Sequence, residues 1–418
     1  MTGRQRTRGK GRRDRAWILF TAVILLLGLS GCLQTMEPVR PDRLPLASRD
    51  AQRLSGHVRY LADPSLAGRR PGTVGNREAA TYIEEQLRAV GVQPFPSLGG
   101  YRQPIAPEIG DNVLGMLPAS GDQPNGRWVV LGAHFDHLGR GFLGADDNAS
   151  AVAILIETAR HLTALTRFSV AVLAFNSEEP PYFSTPTMGS EWFVQHLPPE
   201  IGDVAQIQSA VIMDLMGGVQ WEPLKDTVFA IGAEKSPGLY RRMKESLPEA
   251  RPLRVFPVGI HLVEEIPGRG HESFSDYEVF RNRQVPFLFL STARTPRYHT
   301  TEDRADTLHY ERMAATVLWL TRLLASMDQD REPYRFEPNG LEFRDEIATF
   351  RSILTNATDA RTLIPGTSRW SLWKLKGEQE WIDTEEALTP SPENQSRLER
   401  ISIRFQCLFA GYSGCFMF

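Results

Sequence analysis

Six apolar runs recur through the middle of this 418-residue chain, and stretches of helical spacing lie between them. The runs are residues 112–117, 128–132, 169–174, 210–213, 227–231 and 285–290. Helical patterns cover 51–61, 77–90, 149–162, 189–195, 238–246 and 308–327. In 77–90 (REAATYIEEQLRAV), Ala80, Ile83, Leu87 and Val90 recur on one helical face, and Gly91 follows as a stop. Strands alternating with helices predict a three-layer α/β/α sandwich around a mixed, mostly parallel sheet. Such a sheet places functional side chains at or just past its strand ends.

Chemistry-bearing residues sit at those ends. His134 closes the run in GAHFDHL, with Asp136 two residues on and His137 beside it as a competitor. Asp136 is placed to accept the second imidazole N–H and fix the tautomer. GADDNAS holds Asp146 and Asp147 at a turn into a small-residue helix. Alone, that pair would read as a helix cap. With the neighbouring motifs, one of the two suits a carboxylate shared between two metals. Glu178 and Glu179 follow a strand in FNSEEPP. One would bind metal and the other would take a proton from water. Asp214 ends the apolar run VIMDLMG, a costly place for a carboxylate unless it is paired or coordinated. His299 lies in the polar loop RYHTTED. The inventory is imidazole and carboxylate, which suits divalent metal and assisted hydrolysis.

Composition narrows the field. Hydrophobic content is 41% and charged content 23%, ordinary for a globular protein. Residues 1–31 carry +6, which leaves −9 on the rest of a chain whose net charge is −3. An acidic body argues against nucleic acid as a partner. Three cysteines are too few for a structural thiolate zinc site. In an exported protein, Cys407 and Cys415 can oxidise to a short-loop disulfide.

The N-terminus reads as a targeting segment. Arg4 to Arg15 are basic, and Ala16 to Leu29 form a 14-residue apolar run, shorter than the ~20 residues that span a bilayer. Leu29-Ser30-Gly31-Cys32 resembles a bacterial lipobox, which implies lipidation at Cys32 and anchoring to the cell envelope. Leu33 in place of Asp favours the outer membrane over inner-membrane retention. The expected organisation is a leader at 1–31, a Pro-rich tether at 32–50, a catalytic domain at 51–328 and an extension at 329–418. The extension carries Trp370, Trp373 and Trp381, and its role is not legible in the sequence.

The ordered set His-x-Asp, Gly-Ala-Asp-Asp-Asn-Ala-Ser, Glu-Glu, Asp, Tyr-His-Thr resembles the co-catalytic di-zinc aminopeptidase family, over roughly residues 51–328. That family includes leucine aminopeptidases, glutamate carboxypeptidase, glutaminyl cyclases and non-catalytic receptors. The resemblance implies a zinc-peptidase-like fold and two Zn2+ per chain. It implies Asp146 as the bridge, His134 and Asp214 on one ion, and Glu179 and His299 on the other. It implies Glu178 as general base, Asp136 orienting His134, and a cis peptide between Asp146 and Asp147. The implied reaction is hydrolysis of N-terminal residues from peptides by a metal-bridging hydroxide. Tyr298 is a weaker candidate for holding the oxyanion.

Two segments depart from the common pattern. PPYFSTPTMGS after Glu179 is longer and richer in Pro than the usual turn, and it is expected to shape the substrate pocket. The stretch between Tyr101 and Arg127 is too short for an inserted protease-associated domain. SFSDYEVF, with Asp276, resembles a family motif near the pocket. His261 and His271 are read as loop residues. The competing functions are a glutaminyl cyclase-like acyltransferase and a non-catalytic binding protein on the same fold.

Overall fold

The computed structural model describes residues 49–162, 165–247, 253–266 and 270–411. The leader, Cys32, most of the tether and Cys415 lie outside the described residues. Cys407 is disulfide-bonded. Among the described residues no helix is long and apolar enough to cross a membrane.

The helices are α1 (Arg49–Leu61), α2 (Val74–Ala89), α3 (Ala151–His161), α4 (Gly189–Gln195), α5 (Pro237–Glu245) and α6 (His261–Glu264). They continue with α7 (Tyr277–Asn282), α8 (Tyr310–Met327), α9 (Phe343–Thr358), α10 (Arg369–Ile382) and α11 (Pro392–Phe409). The strands are β1 (Arg102–Ala106), β2 (Gly110–Leu117), β3 (Trp128–His134), β4 (Ser169–Phe175), β5 (Ile207–Met213), β6 (Thr227–Ile231) and β7 (Arg254–Val258). A two-residue ribbon, β8 (Glu265–Ile266) with β9 (Gly270–His271), precedes β10 (Phe287–Ser291). Thus His261 opens a short helix, and His271 lies in this ribbon.

Eight strands form one sheet in the order β1-β2-β4-β3-β5-β10-β6-β7. At its centre β4, β3, β5 and β10 run parallel. The first two strands are antiparallel at one edge, and β6 pairs antiparallel with β10 near the other. The mixed sheet and the two helical layers match the expected α/β/α class. β3 and β5 are buried along their whole length, as strands covered on both faces must be.

Side-chain alternation feeds two cores. Val129, Leu131, Val170, Val172 and Val211 pack towards α1, α2, α3, α5 and α8. Val130, Leu173, Ile212, Phe287 and Phe289 pack the other way, towards α4 and α7. The C-terminal helices join this second core through Phe350, Ile353, Leu398, Ile401 and Leu408. The extension therefore belongs to the sandwich and covers the β10-β6-β7 side.

A charged latch holds it there. His261 places Nδ1 2.9 Å from Glu399 Oε1 on α11, and Nε2 3.2 Å from Glu346 Oε2 on α9. Burial alone would lower the His261 pKa, but the two carboxylates overrule it and raise it to about 9. A raised folded-state value means the latch is fully present below the unfolded pKa of about 6.5 and is lost as pH rises through 9. Its contribution is at most on the order of 3 kcal/mol. His261→Gln should therefore lower the melting temperature at pH 6, and the gap to wild type should close above pH 9.5. A gap constant across pH, read by thermal melts, would remove the latch.

Candidate metal centre

The parallel strands bring the expected residues to one end of the sheet. β3 ends on His134, β4 leads into Glu178 and Glu179, and β5 leads into Asp214. Since β4, β3 and β5 are neighbours, these side chains arrive together; His134 pairs with Phe175 across the ladder. Asn176 fixes the turn that presents the two glutamates. Its N–H donates to Asn112, its amide to Asn76 and to the Ile109 carbonyl, and its own oxygen accepts from Asn76. His299 comes from the loop after β10, with its ring stacked 3.8 Å from that of Tyr298.

The side chains converge at cation-sized spacing. His134 Nε2 lies 3.4 Å from Asp147 Oδ1, 3.5 Å from Asp214 Oδ1 and 3.7 Å from Glu178 Oε2. His299 Nε2 lies 3.2 Å from Asp147 Oδ2 and 3.2 Å from Glu179 Oε2. His134 Nε2, Asp214 Oδ1 and His299 Nε2 are buried and make no hydrogen bond within the described residues. Ligand atoms about 2.0–2.2 Å from a tetrahedral ion stand roughly 3.3–3.6 Å apart, close to the spacings here. The donor set is nitrogen and oxygen, as zinc accepts, and the surplus of buried carboxylates over imidazoles calls for cationic charge. The residues present therefore fit the implied metal.

Three expectations are corrected. Asp146 does not lie between the histidines. Its Oδ1 accepts N–H bonds from Gly217 (2.7 Å) and Gly218 (2.9 Å) on the loop after β5, so the carboxylate is turned away. Asp147 stands there instead, one oxygen towards each histidine. A Cβ on Gly218 would meet Asp146 Oδ2 at 2.3 Å, so that close approach requires glycine. The cis bond is also one position further on, at Asp147–Asn148. Asp136 is adjacent to His134, but its carboxylate mainly accepts the N–H groups of Glu178 (3.0 Å) and Glu179 (3.2 Å). His134 Nδ1 is 3.2 Å from the Asp136 main-chain oxygen and 3.7 Å from its carboxylate. Asp136 thus fixes the glutamate turn, and its backbone carbonyl orients the imidazole.

Three supporting residues were not assigned from the sequence. His137 Nδ1 lies 2.8 Å from Glu179 Oε1, a hydrogen-bond length. His137, Asp147 and Glu179 do form a compact ligand group. The short contact places His137 behind Glu179, holding the oxygen that faces away from His299. Asp303, four residues after His299, accepts the N–H groups of Asp146 (2.7 Å) and Asp147 (3.1 Å). Arg69 is fully buried and donates to the carbonyls of Phe135 and Gly144, tying the His134 loop to the aspartate turn. The only sequence signals were the repeated His in HFDH, the Asp of HTTED and the Arg of GRR.

Electrostatics separate the acids. Burial, reinforced by Asp276, Asp214 and Glu179 and opposed by His134, pushes Glu178 well above the usual carboxylate range. Burial also raises Asp214. For Asp147 burial works in the same direction, but His134 and His299 win and hold it well below that range. Glu179 is lowered too, with His137 and His299 overcoming burial and Asp147. Burial would lower His299, but Asp147 and Glu179 raise it to about 9. Asp276 is completely buried nearby, and burial, with Asp136 and Asp214 adding to it against His134, raises it to about 7.

A mostly parallel sheet whose strand ends gather histidines and carboxylates at metal-ligand spacing defines the class: a zinc metallopeptidase. The chain belongs to peptidase family M28, whose model matches residues 112–323. Escherichia coli YfbL, described as an uncharacterized protein, is 28% identical over 335 residues, covering 73% of this chain and 98% of YfbL. LapB from Legionella pneumophila superposes with a TM-score of 0.54 at 17% identity, covering 73% of this chain and 81% of LapB. BSAP, a zinc aminopeptidase from Bacillus subtilis, gives 0.52 at 13% identity, covering 69% and 98%. At those identities the two structures establish shared fold.

Proposed function

We propose that this chain is a zinc-dependent exopeptidase that removes N-terminal residues from peptides, with Glu178 as its general base. The observation that carries the reading is the split of the Asp147 carboxylate, one oxygen 3.4 Å from His134 Nε2 and the other 3.2 Å from His299 Nε2. Two ligand sets sharing one carboxylate suit two zinc ions. When bound there, zinc would acidify water and polarise the scissile carbonyl.

The chain's own groups supply the rest. Glu178 Oε2 stands 3.7 Å from His134 Nε2, in one compact group with His134 and Asp214, so it would lie beside any ion and water held there. It would take the proton from the attacking water and return it to the leaving amine. Asp136 fixes the backbone of Glu178, and burial of His134, Asp147, Glu178, Glu179 and Asp214 strengthens each charge interaction among them. Tyr298 keeps its hydroxyl proton, because burial raises its pKa, and is available as a donor beside His299. The leader and Cys32 point to an exported chain held by lipid at the cell envelope, where its peptide substrates would be met.

Aminoacyl arylamides offered to the full-length chain in detergent test this reading. The zinc-loaded chain should release free amine from at least one. Chelation should abolish release, and zinc should restore it. Pyroglutamate formation from glutaminyl peptides without amine release would favour the cyclase instead. Chelator-insensitive release would sink the proposal.

A further inference from the structure

A cavity of about 580 Å3 opens beside the candidate metal centre. Its inner end is bounded by Asp214, Leu215, Ser291 and Tyr298. Its floor is the sheet, through Phe229, Ile231, Val258 and Phe289. Its far wall is the C-terminal extension, through Phe350 and Ile353 of α9 and the C-terminal half of α11. Along that stretch Ile403, Phe405 and Phe409 stand beside Arg400, Arg404 and Gln406. Leu398, Ile401 and Leu408 of the same helix are buried in the core. No residue of the Pro-rich loop 180–188 lines this cavity.

We propose that the C-terminal extension completes the specificity pocket, and that the pocket selects peptides whose first residue is large and apolar, aromatic above all. This rests on the aminopeptidase reading. Three observations argue for it. The cavity is continuous with Asp214 and Tyr298, so a side chain entering it leaves its own carbonyl near the metal ligands. The volume falls within the ~300–1,000 Å3 of sites that enclose small molecules and exceeds what a small side chain fills. The floor is aliphatic and aromatic, the far wall sets Phe350, Ile353, Ile403, Phe405 and Phe409 among polar side chains, and the rim is stiffened where Arg294 lies 5.0 Å over the Phe274 ring and 4.6 Å over that of Tyr298. An Ala side chain would leave such a pocket wet, whereas a Phe or Trp ring would displace water from both walls.

Ile403 is the test position. It is half-buried, faces the cavity and lies on the extension, far in sequence from every proposed ligand. For the full-length chain, kcat/KM on phenylalanyl and tryptophanyl arylamides should exceed that on the alanyl arylamide at least tenfold. Ile403→Trp fills the cavity and should cut that ratio tenfold or more. Ile403→Val should keep it. A role of α11 in stability alone would lower both activities and leave the ratio unmoved, which would overturn the pocket. So would an alanyl preference in the wild type. Equilibrium dialysis of phenylalanine amide against the metal-free chain separates the two proposals. Saturable binding that Ile403→Trp abolishes, with no turnover of any arylamide, would retain the pocket and overturn the aminopeptidase reading. Absence of both binding and turnover would overturn both.

Discussion

Glu178→Gln should reduce kcat by about a thousandfold while the zinc content of the chain stays at the wild-type level. The substitution keeps the side chain's shape and removes its capacity to accept a proton. Asp147, Glu179, Asp214, His134 and His299 remain as they were, so the metal sites persist. The Glu178 backbone also remains fixed, because its N–H still donates to Asp136. KM should change little, since the lost interaction belongs to proton transfer rather than to ground-state binding. Steady-state kinetics beside elemental analysis of the same preparation reads both. Near-normal kcat in a fully metallated variant would remove Glu178 from the chemistry. Loss of zinc together with activity would instead make Glu178 a ligand.

The general-base assignment depends on which acids belong to the metals, and the sequence told only part of that. The sheet was legible because its central strands are uninterrupted apolar runs; five of the six predicted runs fall within observed strands, and the sixth overlaps β10. The edge strands β1 and β7 were not, because RQPIA and RVFPV are short and mix charge and proline with apolar residues. The extension was opaque for a related reason. Its helices bury their apolar faces against strands that lie far earlier in the chain, and nothing local reports that partner. Site residues at strand ends were legible because a charge after a buried run needs an explanation. The direction of each side chain was not. Asp146 and Asp147 are identical neighbours, and the loop at Gly217 and Gly218, together with Asp303, decides which of them faces the histidines. For Asp136, the sequence offered the nearby imidazole as a partner, while the folded chain offered two backbone N–H groups as well.

Asp147→Asn and Asp146→Asn should therefore behave oppositely. Asp147 contributes an oxygen to each of the two ligand sets, so replacing its charge weakens both. Metal affinity should fall by more than the roughly 10–100-fold typical of losing a group that only supports a ligand. Zinc per chain should drop steeply after dialysis, and activity with it. Asp146 faces Gly217 and Gly218, and an Asn carbonyl can still accept from their N–H groups. Asp146→Asn should keep its zinc and most of its turnover, at a stability cost of about 1 kcal/mol from weaker, uncharged hydrogen bonds. The adjacent positions carry the same side chain in the same turn, so a loss that followed from removing any carboxylate there would strike both variants alike. Only the direction of the side chain separates them. If Asp146→Asn stripped the metal and Asp147→Asn retained it, the bridge would return to Asp146, and the split of carboxylate oxygens between His134 and His299 would lose its functional meaning.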